Sequence, residues 1–143
     1  MKHAFAILLA VAGLAACSPK PAAPPPQAPA AGAALDQPFA LRVGQRATVA
    51  GAEVTVRVES VASDSRCPTG VQCVWAGNAV VRAVLSQGSK AFGAELNTTL
   101  DPRSVRYLDY TVSLVSLTPH PAQGSTIEPS EYQATFLVSR AAP

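Results

Sequence analysis

The stretch Asp64-Ser-Arg-Cys-Pro-Thr-Gly-Val-Gln-Cys-Val-Trp-Ala-Gly77 carries two of the chain's three cysteines, its only tryptophan, and a cluster of turn residues between two Val-rich runs. Between Cys67 and Cys73, Pro68-Thr69-Gly70 favours a tight reversal, because proline presets φ and glycine tolerates positive φ. A bridge between the two cysteines would close a small ring, stabilising the fold by about 2 kcal/mol in the chain-entropy account. If Val74 and Trp75 open a strand, their side chains point to opposite faces. The indole is then expected to cover the bridge or cap the edge of the core.

Working outward, the runs on either side have the period of strands. Phe39, Leu41 and Val43 alternate, and Val54, Val56 and Val58 alternate with Thr55, Arg57 and Glu59, as in half-buried strands. Ala79 to Leu85 is nearly continuous apolar, which predicts a strand covered on both faces. Gln87-Gly88-Ser89 reads as a turn that folds this strand back on the run Lys90–Leu96. Asn97 to Ser104 reads as a loop containing a glycosylation triplet, Asn97-Thr98-Thr99. Tyr110, Val112 and Leu114 alternate next, Thr118 to Ser125 breaks the pattern with Pro119 and Pro121, and Tyr132, Ala134, Phe136 and Val138 close the series. No segment after the first residues has a helical pattern. The prediction is an all-β domain over residues 36–143, a single small sandwich or barrel of about seven or eight short strands.

The amino-terminal third is different. Residues 1–16 combine a positive start at Lys2 with an apolar run from Ala4 to Ala16, the pattern of a secretory signal and too short for a membrane span. Leu14-Ala15-Ala16-Cys17 resembles the lipobox of bacterial lipoproteins, which implies lipid attachment at Cys17. The resemblance implies an outer-membrane destination in a Gram-negative envelope, because Ser18 rather than aspartate follows the cysteine. With Cys17 lipidated, the odd thiol of an exported chain is accounted for, and Cys67 and Cys73 remain to form a disulfide. Residues 17–35 then form a linker, with six prolines between Ser18 and Ala34 and no aromatic or β-branched residue. Such a segment cannot build a core and spaces the domain from a membrane by up to about 50 Å as polyproline II.

Two further runs, Asp64-Ser-Arg-Cys-Pro68 and Cys73-Val-Trp-Ala-Gly77, with the downstream Tyr110–Pro119 and Tyr132–Val138, resemble small bacterial lipoproteins and secreted proteins that have no established activity. This resemblance implies the cysteine pair and no catalytic residue.

Composition narrows the function classes. From Asp36 onward eight Arg and one Lys face four Asp and five Glu, so the domain is near neutral and offers no basic patch for nucleic acid. After signal removal His120, held between two prolines, is the only histidine, and no nucleophile motif accompanies it; no enzyme and no cofactor are expected. The cysteine spacing is not that of a zinc site, and the initiator is the only methionine, so no metal is expected. Arg66 beside Cys67 would lower a thiol pKa, but two-residue redox spacing is absent and the bridge is read as structural. Asp64 is expected to bond nearby amides in an Asx-turn, and Arg66 to pair with Asp64 or pack on Trp75.

Two functional readings emerge. In the first, the domain is a non-catalytic interaction or envelope-maintenance module, held to the membrane by its lipid and using Asp64, Arg66, Gln72, Trp75 and Asn78 as a rigid recognition surface for an envelope protein partner. In the second, the Cys67–Cys73 loop inserts into an envelope-directed hydrolase, a lysozyme or protease, and inhibits it. A small-molecule carrier is disfavoured, since Ala and Val outnumber large aromatics and favour tight packing. Replacing Cys17 by Ala is expected to move the protein from the membrane to the soluble fraction on cell fractionation, and persistent membrane association would contradict the lipid anchor.

Overall fold

The computed structural model describes residues 32–142, so the expected signal peptide, Cys17 and most of the Pro/Ala-rich linker lie outside the described residues. Among those described, eight strands run in order: β1 Phe39–Arg42, β2 Arg46–Thr48, β3 Thr55–Asp64, β4 Ala79–Gln87, β5 Lys90–Asn97, β6 Ser104–Tyr107, β7 Tyr110–Thr118 and β8 Gln133–Arg140. One short 3-10 turn, Pro129–Glu131, precedes β8. The strands form two antiparallel four-stranded sheets, ordered β1-β8-β7-β6 and β2-β3-β4-β5. The molecule is a β-sandwich, and the sheets do not close into a barrel.

Alternation places the core. Val56 and Val58 of β3, Val81 and Leu85 of β4, Leu96 of β5, Val112 of β7, and Phe136 and Val138 of β8 all turn inward and are buried, and Phe39 packs on Phe136 with ring centroids 6.2 Å apart. The β4–β5 hairpin turns at Gly88-Ser89, with Gln87 opposite Lys90, as the sequence predicts. Strand β4, however, is covered on one face only. Ala79, Val81, Ala83 and Leu85 are buried, but Val80 and Val84 are half-buried and Arg82 is exposed. The apolar run misleads because β-branched residues suit either face of a pleated strand, whereas an antiparallel sheet keeps one face in water.

Strand β3 is irregular at two places. Register shifts between Val58 and Ser60, and again between Val61 and Ser63, spread the later residues so that Asp64 lies opposite Ala79. Its inward-facing set therefore runs Val56, Val58, Val61, Asp64, and a carboxylate is aimed at the space between the sheets.

The sandwich has two distinct poles. Packing begins at Ala33, three residues before the expected boundary: Ala50 donates to the Ala33 carbonyl at 3.0 Å and Asp36 to the Val138 carbonyl at 2.8 Å. Gln87 bonds the Ala52 carbonyl at this same pole, and Ala141 bonds that of Asp109, so the chain enters and leaves here. Residues 65–78, 98–103 and 119–132 gather at the other pole, separated from the first by the length of β3, about 30 Å for ten residues. Phe136 is fully buried at the centre of this core. Truncation to Ala is expected to cost about 3–5 kcal/mol in urea unfolding, and a loss under ~1 kcal/mol would show that the two sheets do not pack as described.

Candidate functional site

The far pole is built from a charged pair inward and an apolar loop outward. Arg66 is 7% exposed, the one charged residue that is buried among the described residues. Its Nε and Nη2 donate to Asp64 Oδ1 at 2.8 Å and Oδ2 at 2.6 Å, a two-pronged pair, and its backbone amide donates to Oδ1 at 3.1 Å in the expected Asx-turn. Nη1 donates to the Leu117 carbonyl at 2.6 Å and Nη2 to the Pro119 carbonyl at 2.9 Å. The Tyr132 hydroxyl donates to Asp64 Oδ2 at 3.0 Å. One guanidinium thus fastens the end of β3 in one sheet to the end of β7 in the other, and Tyr132 brings in the approach to β8.

This network sets the acidity of its members. Burial pushes the Asp64 carboxyl up, but the Arg66 side-chain and backbone hydrogen bonds, the guanidinium charge and the Tyr132 hydroxyl outweigh it and hold the carboxyl below its ordinary 3.8. Tyr132 moves the other way, raised above 10.0 first by burial and then by the carboxylate it bonds and faces.

Above the pair, Cys67 and Cys73 are joined in a disulfide with Cα atoms 5.9 Å apart. Val71 bonds back to the Pro68 carbonyl at 3.3 Å, so the reversal predicted from Pro68-Thr69-Gly70 forms. Two rungs close the loop below the ring, Cys67 to the Ala76 carbonyl at 2.9 Å and Ser65 to that of Asn78 at 2.8 Å. Gly77 lies between them at φ +71°, where a Cβ would collide with the Ser65 carbonyl, so only glycine fits this close approach. The segment after β7 braces the other side: Thr69 donates to the Pro121 carbonyl at 2.8 Å, and His120 Nε2 to that of Cys67 at 2.8 Å. His120 is exposed, as its Pro-flanked context predicts, and it holds the loop.

Asn78 performs a similar task on the remaining flank. Its Oδ1 accepts from the amides of Thr98 and Thr99 at 3.1 Å each, and its Nδ2 donates to Asn97 Oδ1 at 2.7 Å, clamping the β5–β6 loop to the bridged one. Thr99 Oγ1 adds a bond to the Gly77 carbonyl at 2.6 Å. The glycosylation triplet is thereby folded into the loop base.

What this base carries is apolar and open. Val74 is 89% exposed, Trp75 82%, Leu100 60% and Val71 42%. Trp75 therefore neither covers the bridge nor caps the core edge. The Ser65–Asn78 rung and the Gly77 turn delay the strand to Ala79, leaving Val74 and Trp75 beyond the ladder, where nothing packs on them. Arg66 turns inward to Asp64, not onto the indole. Between Trp75 and Leu100 lies an open cleft of about 440 Å³, floored by Ser65, Gly77, Asn78 and Thr99.

The five residues expected to share one surface are therefore divided by depth. Arg66 is buried and the half-buried Asp64 turns its carboxylate inward to it at the base, Asn78 is a half-buried clamp, and Gln72 and Trp75 are exposed. Sequence reasoning misses Leu100, which faces Trp75 from a separate loop, and Tyr132, whose place in an alternating run signals core and not a carboxylate partner. Among the described residues, no group of three or more His, Cys, Asp or Glu side chains is placed to hold a metal, and no helix is long and apolar enough to cross a membrane. Compared with models of protein families, with curated proteins and with solved structures, the chain gives no match.

The depressed Asp64 carboxyl gives a sign for acid stability. A group more acidic in the folded than the unfolded chain contributes stability that is present above 3.8 and lost as pH falls through its folded value. Urea unfolding of the wild type from pH 5 to pH 2 is expected to weaken progressively. Asp64→Asn should be less stable at pH 5 and show a shallower pH slope, and an unchanged slope would remove Asp64 from the linkage.

Proposed function

We propose that this chain is a lipid-anchored, non-catalytic module of the cell envelope that binds a protein partner through the far pole. The observation that carries the reading is the contrast at that pole: Val71, Val74 and Trp75 stand in solvent on a loop whose base is fixed by a buried ion pair, a disulfide and a clamped asparagine. Apolar side chains exposed on a loose loop would gain little on binding, since ordering the loop offsets the contact. A braced loop loses little freedom, and an exposed tryptophan supplies the large apolar area that dominates many protein interfaces. The division of the molecule supports the same reading. The described chain begins at one pole and the exposed loop lies at the other, so a linker running from Cys17 holds the loop away from the anchoring membrane.

Inhibition of an envelope hydrolase is the narrower form of this reading, favoured by the exposure of Val71 within the disulfide ring. A photo-reactive residue placed in living cells at Val71, with a control at Ser139 in β8, tests both. A discrete adduct from Val71 and none from Ser139 is expected, and a hydrolase in that adduct would select the inhibitor. No adduct from Val71 would overturn the interaction module.

A further inference from the structure

The hydrogen bonds that brace the far pole stop short of the residues that carry its exposed apolar side chains. On one arm of the loop they end at Thr69, which donates to the Pro121 carbonyl, and on the other at Ala76, whose carbonyl accepts from Cys67. Among the described residues, the backbone from 70 to 75 donates one hydrogen bond, from the Val71 amide to the Pro68 carbonyl at 3.3 Å, and that bond lies inside the same turn. Val74 and Trp75 stand in solvent. What crosses from this segment to the braced arm is the Cys67–Cys73 bond. We propose that this bond is a thiol-exchange site, opened in the folded protein by a dithiol reductant, and that it latches residues 70–75 alone.

The two sulfurs differ in access. Cys73 is exposed and Cys67 half-buried, and the Cys67 sulfur has the Pro68 and Val71 carbonyl oxygens at 3.8 and 3.6 Å. Those oxygens repel an incoming thiolate, so exchange starts at Cys73. A thiolate of the reductant bonds to Cys73 Sγ as the Cys67–Cys73 bond breaks, and the electron pair leaves on Cys67 Sγ, which takes a proton from water. The new Cys67 thiol has the Val71 carbonyl in reach as an acceptor. The reductant's second thiol then gives up its proton and attacks its own sulfur in the mixed disulfide, freeing Cys73 to be protonated in turn. The protein has gained two electrons and two protons, and the dithiol has become a disulfide. Arg66 takes no part, because its guanidinium is turned to Asp64 and does not stabilise a Cys67 thiolate. The loop is therefore a substrate of exchange and not its catalyst.

Opening the bond frees the segment without unfolding the sandwich, since the ion pair, the Ser65–Asn78 and Cys67–Ala76 rungs and the Asn78 clamp do not pass through it. Folded and unfolded chains then regain the same freedom, and the stability that a cross-link adds by restricting only the unfolded chain largely cancels. What is lost is the fixed placing of Val71, Val74 and Trp75. Resting on the reading of this loop as the partner surface, binding is lost with it.

The full chain carrying Cys17→Ala, whose remaining cysteines are Cys67 and Cys73, is treated with dithiothreitol. Reduction is expected at a rate proportional to the dithiothreitol and unaffected by about 1 M urea. A rate that saturates and climbs with urea would show that the bond opens only on unfolding, and would overturn the proposal. Trapping with glutathione and iodoacetamide is expected to leave glutathione on Cys73 and the alkyl group on Cys67; the reverse would overturn the order of attack. Because Trp75 is the only tryptophan, its anisotropy decay follows the segment. The nanosecond amplitude is expected to rise about twofold on reduction while the urea midpoint falls by less than about 1 M. An unchanged decay would show the segment held by other contacts, and a larger fall would show the bond supporting the whole fold; either overturns the latch. These readouts need no partner, so the latch is judged apart from the interaction module. In cells, the adduct from Val71 is expected to fall roughly tenfold when Cys67→Ser and Cys73→Ser are combined. An equal yield would overturn the control of binding by the bond.

Discussion

A guanidinium taken out of water between two sheets must find partners for its N–H groups, and Arg66 does so only where β3, β7 and the approach to β8 meet. Its carboxylate partner is two residues away in sequence, but the Leu117 and Pro119 carbonyls lie across the sandwich. Apolar packing between sheets tolerates small slips, because dispersion has no direction. Hydrogen bonds to a buried charge do not, since a slip leaves that charge unpaired. The planar fork of arginine suits this task; lysine would offer a point charge and leave the two-pronged geometry unmet. The bulges of β3 belong to the same device, for they bring Asp64 level with Ala79 and facing inward.

From this base the pole is ordered in tiers. The ion pair fixes the level of residues 64–66, the Ser65–Asn78 and Cys67–Ala76 rungs carry the loop outward, and the disulfide closes its end. The β5–β6 loop is clamped by Asn78 and the segment after β7 is tied through Thr69 and His120, so three connections that would otherwise move separately form one platform. Exposed apolar side chains are ordinary when scattered over a surface. Here four of the six large ones exposed among the described residues, Val71, Val74, Trp75 and Leu100, are gathered at the pole opposite the chain's entry.

The parts of this arrangement legible in the sequence are those with period two. Strands β3, β7 and β8 and the β4–β5 hairpin follow from alternating Val, Leu and Phe and from Gly88-Ser89. Strands β2 and β6, of three and four residues with one buried side chain each, are too short to leave a pattern. The Asp64–Arg66 pair is readable because both partners lie within one turn. Its other partners are not, because backbone carbonyls have no residue signature and Leu117 and Pro119 are some fifty positions away. The exposure of Trp75 is hidden for a related reason. Its direction depends on where the ladder of β4 begins, and that is decided by Gly77 fitting against Ser65, a contact between residues twelve apart.

The placement of the chain's entry also determines how the domain would bear tension. Strand β1 lies antiparallel along β8, with Phe39 opposite Phe136 and Arg42 opposite Gln133, and the chain arrives at its outer end. In the arrangement proposed above, a pull between the anchored linker and a partner at the far pole would run along β1. The hydrogen bonds joining it to β8 lie across that line, so they would be loaded in shear together and would not peel apart one after another. A thin four-residue strand is thus set in the geometry best able to resist tension drawn from one pole to the other.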